Sequence, residues 1–559
     1  MDIRFDRYYD NDELGLVLRH LVDSHPGLAR LETLGLSHEG RPIPLLVLTN
    51  ASTGADTDKP ACWLSGNIHA IEVAGSMACL HAAWTLLVGH GRDEQLTRLL
   101  DRTTFYIAPR LSPDGADRVF RTPRDLVLSS TRPYPDGLSS PGLQTGDVDG
   151  DGRVLDMRVP DPTGSYKTCD LDPRLMVRRG PDEEGGDYYL LLPEGRVPDY
   201  DGHRIAVAGS RSRLNFNRNF PTDWAPDPVE PGAGPFPLSE PETLAAADFI
   251  AAHRNIVSAM DYHTYSGIHL RPFGGRDDLQ IPQDDLEIWQ AMGRRATELT
   301  GYPAVSIWHG FRYSPTRGMA GGFLDWMYEQ RGIFGWTTEL WDMCREAGVL
   351  REDIIGWHHD HPVEDELAML RWSDEKLEGR AFVPWYHFDH PELGPVELGG
   401  WDRMFTWNNP PEQMLQAELE RNTPFVHFLA ALAPRLEVRS LTARPLGGST
   451  WSVTLVVDNA GYLPSYGSRK AIDAGAAGPV TAELTTHPVL DGPARRELGH
   501  LAGRSGNAQF AGIAPVTPTD HRGAVTWLVQ APAGARIGLD VVGGRAGRLQ
   551  LSVELTAPA

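Results

Sequence analysis

The sequence predicts an α/β domain built on a mixed sheet, followed by an all-β sandwich. Three observations predict it. Short apolar runs alternate with stretches of helical periodicity from residue 30 to about 345. From about residue 436 the texture changes to apolar/polar alternation between Gly- and Pro-containing turns. At 559 residues the chain is also too long for one ordinary core. The division read from these signals is 1–435 for the first domain and 436–559 for the sandwich. An insertion at about 125–213 and a His- and Trp-rich extension at about 343–410 fall inside the first.

Residues 1 to about 30 read as helical and peripheral. "RLETLGLSHEGRPIPLLVLTN" (30–50) alternates like two strands around a Gly-containing turn. "ACWLSGN" (61–67) is a buried strand with its exit, and residues 71 to about 100 then carry helical spacing. "TFYIAPRLSPDG" (104–115) reads as a second buried strand running into a turn. The 125–213 stretch is rich in Pro, Gly and Asp and shows little periodicity. Helix, strand and helix resume at 240–254, 255–263 and 287–301, a strand follows at 332–342, and a helix at 411–433. Alternation of this kind builds a mainly parallel or mixed sheet.

Composition narrows the function classes. A formal net charge of −23 argues against general nucleic-acid or anionic-membrane binding, which needs clustered Lys and Arg. No run of 18 apolar residues appears, so no membrane span is expected. "MDIRFDRYYDNDELG" carries charge where a signal peptide needs an apolar core, so the cytoplasm is the expected location. The four cysteines are scattered, without a C-x-x-C pair, and read as inert thiols.

"SGNIHAIEVAG" (65–75) places His69 and Glu72 three apart directly after a strand. The pattern alone is weak, because "HHDHPVEDE" offers His361 and Glu364 at the same spacing. That competitor lacks a preceding strand, and Pro362 constrains its backbone, so it reads as a polar surface segment. His387 and His390 read as local hydrogen-bonding residues. A catalytic zinc wants three protein ligands and an open position. In open α/β sheets such groups gather outside the carboxyl ends of strands, where "SAMDYHTYSG" supplies His263.

"SPDG" (112–115), "NFNRNFP" (215–221), "DYHTYSG" (261–267) and "TTELWD" (337–342) then follow in order. With His-x-x-Glu, these segments resemble the zinc carboxypeptidases of the carboxypeptidase A type, over roughly residues 5 to 345. Ser112 stands where that family has the first Asn of N-P-D-G. The resemblance implies a mixed-sheet zinc carboxypeptidase-like fold with His69, Glu72 and His263 as Zn²⁺ ligands. It implies Glu339 as general base on the zinc-bound water. Asn217 and Arg218 would grip the terminal carboxylate of a peptide substrate with a free C-terminus, a task suited to a planar guanidinium. An arginine after the N-P-D-G turn would stabilise the oxyanion; Arg132 is the first choice and Arg124 the reserve.

The chain also departs from that pattern. Ile71 stands where relatives often have Arg. Counting back from Glu339 puts Thr316 or Arg317 at the place of the family's mobile tyrosine, with Tyr313 a few residues off. Arg317 would favour an acidic substrate group, whereas Leu324, at the place of the specificity residue, suits an uncharged terminal side chain. "DVDGDGRVLDMR" (147–158) copies the start of an EF-hand loop through Asp147, Asp149 and Asp151. Its last position is Arg158 rather than Glu. Calcium is therefore one expectation, and an Asp/Gly-rich turn, or one whose carboxylates Arg158 neutralises, is the other. Two alternative functions stand beside the peptidase. One is an aspartoacylase- or desuccinylase-like zinc amidohydrolase acting on N-acyl amino acids; the other is a non-catalytic binding protein on the same fold.

Overall fold

The computed structural model describes residues 2–134, 142–198, 200–206, 214–314, 316–506 and 517–556. Among these, eight strands form one mixed sheet: β1 (Ala29–Leu36), β2 (Pro42–Leu48), β3 (Ala61–Gly66), β4 (Thr104–Ala108), β5 (Ile256–Thr264), β6 (Ile268–Arg271), β7 (Ala304–Ser306) and β8 (Phe334–Leu340). Their order is β1-β2-β4-β3-β5-β8-β6-β7. The central strands β4, β3, β5 and β8 run parallel, and β2 and β6 flank them antiparallel. All four central strands are buried along their length, which explains their unbroken apolar runs.

Helices cover both faces of the sheet. On one side lie α1 (Asn11–Ser24), α2 (Val73–Gly89), α3 (Gln283–Thr300) and α5 (Glu412–Ala431); on the other lie Pro241–Ala252 and α4 (Phe323–Arg331). The N-terminal segment, expected to be peripheral, instead sends Phe5, Tyr8, Leu14 and Leu18 into the larger core. The expected single helix from 71 to 100 is two, broken between α2 and Glu94–Arg102, where Gly91 takes a positive φ of 77°. "SPDG" is a helix start rather than a plain turn: Ser112 precedes Pro113–Phe120. Asp114 accepts from Ser37, from the Glu39 backbone and from Arg41, so it fastens the β1–β2 turn.

The insertion is not irregular. Its strands Asp156–Pro160, Tyr166–Thr168, Met176–Arg178 and Tyr189–Pro193 join Phe382–His390 and Gly394–Trp401 from the extension in one antiparallel six-stranded sheet. Residues 135–141, 199 and 207–213 of the expected insertion lie outside the described residues. The extension packs around Trp341, Trp357, Trp372 and Trp401, beside the end of β8.

Beyond α5, two antiparallel sheets of three and four strands share a core built on Trp451, Val453, Trp527 and Leu539. This is the expected sandwich pattern, with alternate residues of Thr450–Asn459 buried. No single helix among the described residues is long and apolar enough to cross a membrane.

Candidate active site

The carboxyl ends of β3, β5 and β8 meet at one place. Strand register sets it: Asp261 of β5 lies opposite Ser65 of β3, and His263 lies opposite Glu339 of β8. Period-2 alternation turns Asp261 and His263 to the same side. After β3 the chain turns sharply through Asn67 (φ 58°), whose amide donates to the carbonyls of His69 and Ala70. Glu72 then caps α2. The first turn of α2 can sit this close only because Gly66 and Gly75 lack side chains. A Cβ on Gly66 would lie 2.5 Å from the Gly75 carbonyl oxygen, and one on Gly75 would lie 2.8 Å from that of Tyr262.

His69, Glu72 and His263 thereby converge, each offering a donor atom within 4.8 Å of the others. His69 Nδ1 is 2.8 Å from Glu72 Oε1 and 3.3 Å from His263 Nδ1. Glu72 Oε2 lies 3.0 Å from His263 Nδ1 yet is buried without a hydrogen bond. The far nitrogens are both engaged: His69 Nε2 is 3.0 Å from Asn215 Oδ1, and His263 Nε2 is 2.8 Å from Asp261 Oδ2. Since both oxygens are acceptors, both Nε2 atoms donate, and the two Nδ1 atoms face each other and a carboxylate. Such a donor set calls for a cation at its centre and fits a zinc ion with two imidazoles and a carboxylate. The charges of the cluster act strongly on one another. Burial opposes charge on Glu72, but His69 and His263 hold its carboxyl down to about 2. Burial likewise opposes charge on His263, but Glu72 and Asp261 raise its pKa well above the usual imidazole value.

Glu339 faces this cluster from the next strand and is 8% exposed. Burial pushes its carboxyl up to about 8, with His263 pulling against that and Glu72 and Asp261 adding to it. His69, His263, Glu339, Asn217, Arg218 and Leu324 all line a single cleft. Asn217 Oδ1 accepts from the Phe323 backbone at 2.9 Å, which ties "NFNRNFP" to the start of α4. Arg218 donates through Nε to Glu230 at 3.1 Å and through Nη1 to the Asn217 carbonyl at 2.8 Å.

Comparison with known proteins matches this arrangement to a family. A zinc carboxypeptidase family model matches residues 16–138 and 203–355. The chain carries a zinc carboxypeptidase domain. Carboxypeptidase A2 of Rattus norvegicus is 24% identical over 341 residues, 61% of this chain; the chain spans 64% of that relative's length. Carboxypeptidase B of Astacus astacus is 27% identical over 359 residues, 62% of this chain and 91% of its own. Among solved structures, that of thrombin-activatable fibrinolysis inhibitor aligns with a TM-score of 0.44 and 16% identity over 76% of this chain and 74% of its own. Residues 435–554 match a domain of unknown function, DUF8731. The two matched segments flank a 139–202 gap and end at 355, so all six strands of the antiparallel sheet lie outside them.

Several expectations need correction within the carboxypeptidase cleft. Arg218 is the one arginine among the described residues that line it. Arg132 is instead turned to the fully buried Glu240, with Nε and Nη2 at 2.9 and 2.6 Å from its two oxygens. Arg124, the reserve, stacks over Phe405 at 5.0 Å. Arg317 is exposed and donates to the Val229 carbonyl, so it supplies no cleft charge for an acidic substrate group. Tyr313 lines the cleft in its stead. The Asp147/Asp149/Asp151 loop is held as a turn. Asp147 accepts from the Gly150 and Gly152 backbones, Asp149 from Asp151 N and Tyr386 Oη, and Asp151 from Arg153 N. Arg158 pairs with Glu397 on the neighbouring strand and not with these carboxylates. These bonds account for the loop as a turn, and beyond the proximity of its three carboxylates nothing among the described residues points to calcium. His361 stacks on Trp357 and pairs with Glu366, while His390 bonds the Gly195 carbonyl, so both are structural.

Three residues at the site escaped the sequence: Asn215, Asp261 and Glu230. The first two stand inside quoted motifs, and the i, i+2 spacing of Asp261 and His263 on a strand was the available signal. Glu230 is twelve residues past Arg218 in a Pro-rich loop and leaves no such signal.

Proposed function

We propose that this protein is a zinc-dependent carboxypeptidase that removes residues from the C-termini of peptides. The observation that carries this reading is the convergence of His69, Glu72 and His263 beside Glu339, in a cleft that Arg218 also lines. The three converging side chains would hold Zn²⁺ with one position left open. Zinc there would supply Lewis-acid activation of water and of the scissile carbonyl. In its carboxylate form, which Zn²⁺ held beside it would favour, Glu339 accepts the proton of the attacking water and delivers it to the leaving amine, shielded from bulk solvent by its burial. Arg218, oriented through Nε by Glu230 and through Nη1 by the Asn217 carbonyl, binds the terminal carboxylate. Leu324 gives the wall beside the terminal side chain an apolar character, suited to an uncharged residue. Tyr313, 59% exposed at the cleft, takes the substrate-holding place that residue counting gave to Thr316 or Arg317.

The test is a hydrolysis panel of peptides with free or amidated C-termini, together with N-acyl amino acids, on chelated and zinc-restored protein. Zinc-restored cleavage of free C-termini only is expected. Equal cleavage of amidated peptides removes the Arg218 role. Turnover of N-acyl amino acids with none of peptides moves the protein to the amidohydrolase reading.

A further inference from the structure

The two histidines of the cluster are braced unequally. His69 Nε2 meets the neutral amide oxygen of Asn215, which also accepts from the Asn217 backbone. His263 Nε2 meets a carboxylate, Asp261 Oδ2, at 2.8 Å. Asp261 is 1% exposed, and its other oxygen accepts from Ser65 Oγ at 2.6 Å. Ser65 Oγ in turn accepts from Trp63 Nε1 at 3.0 Å, inside the core. The whole chain of bonds runs between two paired strands, because Asp261 and Ser65 are register partners. A rigid strand, rather than a loop, therefore aims the carboxylate.

From this geometry we infer that Asp261 is a positioning residue for the metal. It fixes His263 as the Nε2–H tautomer, turns Nδ1 to the centre of the cluster, and places a buried negative charge behind that ligand. Ser65 clamps Asp261 and so acts one bond further out. A carboxylate behind a ligating imidazole raises its basicity and locks its orientation, and losing one commonly costs about 10- to 100-fold in metal affinity. Asn215 supplies orientation to His69 without charge. Asp261 is therefore the charged brace of the site, and zinc retention depends on it more than on Asn215. The inference rests on the zinc reading above.

The experiment compares wild-type, Asp261→Asn, Asp261→Ala and Ser65→Ala proteins loaded with zinc. Release to a chromogenic chelator is followed, with bound zinc measured by metal analysis and melting temperature recorded with and without zinc. Asp261→Asn keeps the shape and can still accept from His263 Nε2 through its amide oxygen, but it loses the charge and turns an NH₂ donor towards Ser65 Oγ. It is expected to release zinc about 10- to 100-fold faster, with Ser65→Ala intermediate. The zinc-dependent rise in melting temperature is expected to shrink in both, and the visible spectrum of the Co²⁺-substituted Asp261→Asn protein to shift. A purely structural Asp261 would lower the metal-free melting temperature and leave release and spectrum unchanged, which overturns the assignment. If Asp261→Ala fails to fold, the other two variants decide the matter. Failure of the wild type to retain zinc overturns the zinc reading and this assignment with it; wild-type retention with unchanged release in the variants overturns the assignment alone.

Discussion

At Glu339 the fold sets a buried carboxyl one strand away from His263, with no arginine paired to it among the described residues. Its proposed task is proton transfer, so replacing it should separate chemistry from metal binding. Glu339→Gln is expected to lower kcat by about 10²- to 10⁴-fold while zinc content by metal analysis stays at the wild-type level. Zinc loss in that variant would instead make Glu339 a ligand. The residues that carry the site were mostly legible because each stands next to a strand end in a short motif. Those that read wrongly, Arg132 and Arg317, were placed by their order or their count along the chain. Counting fails where intervening loops change length, and an arginine goes to whichever carboxylate or carbonyl its loop brings near. Arg132 found Glu240 and Arg317 found the Val229 carbonyl. Asp261 and Asn215 were visible as letters but not as partners, because pairing depends on strand register that no single stretch of sequence contains.

Among the elements, α2 joins the site to the core. Its N-terminus carries Glu72, and its buried face packs on α5, where His81 Nδ1 lies 2.6 Å from Thr423 Oγ1. Burial pushes the His81 imidazole down from 6.5 to about 4. As pH falls, the unfolded chain takes up the proton first, so stability is present above about 6.5 and is lost as pH falls towards 4. His81→Gln removes this linkage. Its melting temperature is expected to lie below wild type at pH 7.5, with the deficit narrowing as pH approaches 4.5; a constant deficit would show that His81 does not titrate on unfolding. The central elements were legible because buried parallel strands read as unbroken apolar runs and α3 and α5 are long. The six-stranded sheet was not. Its insertion strands are three to five residues long, below the length at which alternation can be recognised, and Asp156–Pro160 finds one of its partners 239 residues away, where Arg158 meets Glu397.

For the molecule as a whole, the sandwich is bound to the carboxypeptidase domain by a buried arginine. Arg545, 3% exposed, donates through Nη1 to the Gly332 carbonyl at 2.6 Å and also to that of Arg331. Ser468 reaches the same Gly332 carbonyl, and the Asp285 carboxylate accepts from the Arg469 backbone. Arg545→Ala takes this donor from the Arg331 carbonyl and leaves the Gly332 carbonyl with Ser468 alone. It is expected to split a single calorimetric unfolding transition into two; one unchanged transition would mean the domains do not depend on this contact. The all-β C-terminal part was legible from the change of texture near residue 436, whereas the docking arginine was one of many and had no local signal. The sheet shared by insertion and extension has a further consequence for synthesis. The chain emerges from its N-terminus, so Asp156–Pro160 is made 239 residues before the Glu397 segment that covers one of its edges. At about 5–20 residues per second, that edge stays open for roughly 10–50 s. During that time its unpaired backbone groups are available to any other nascent strand, so a truncated chain ending before the extension would carry a permanently sticky edge.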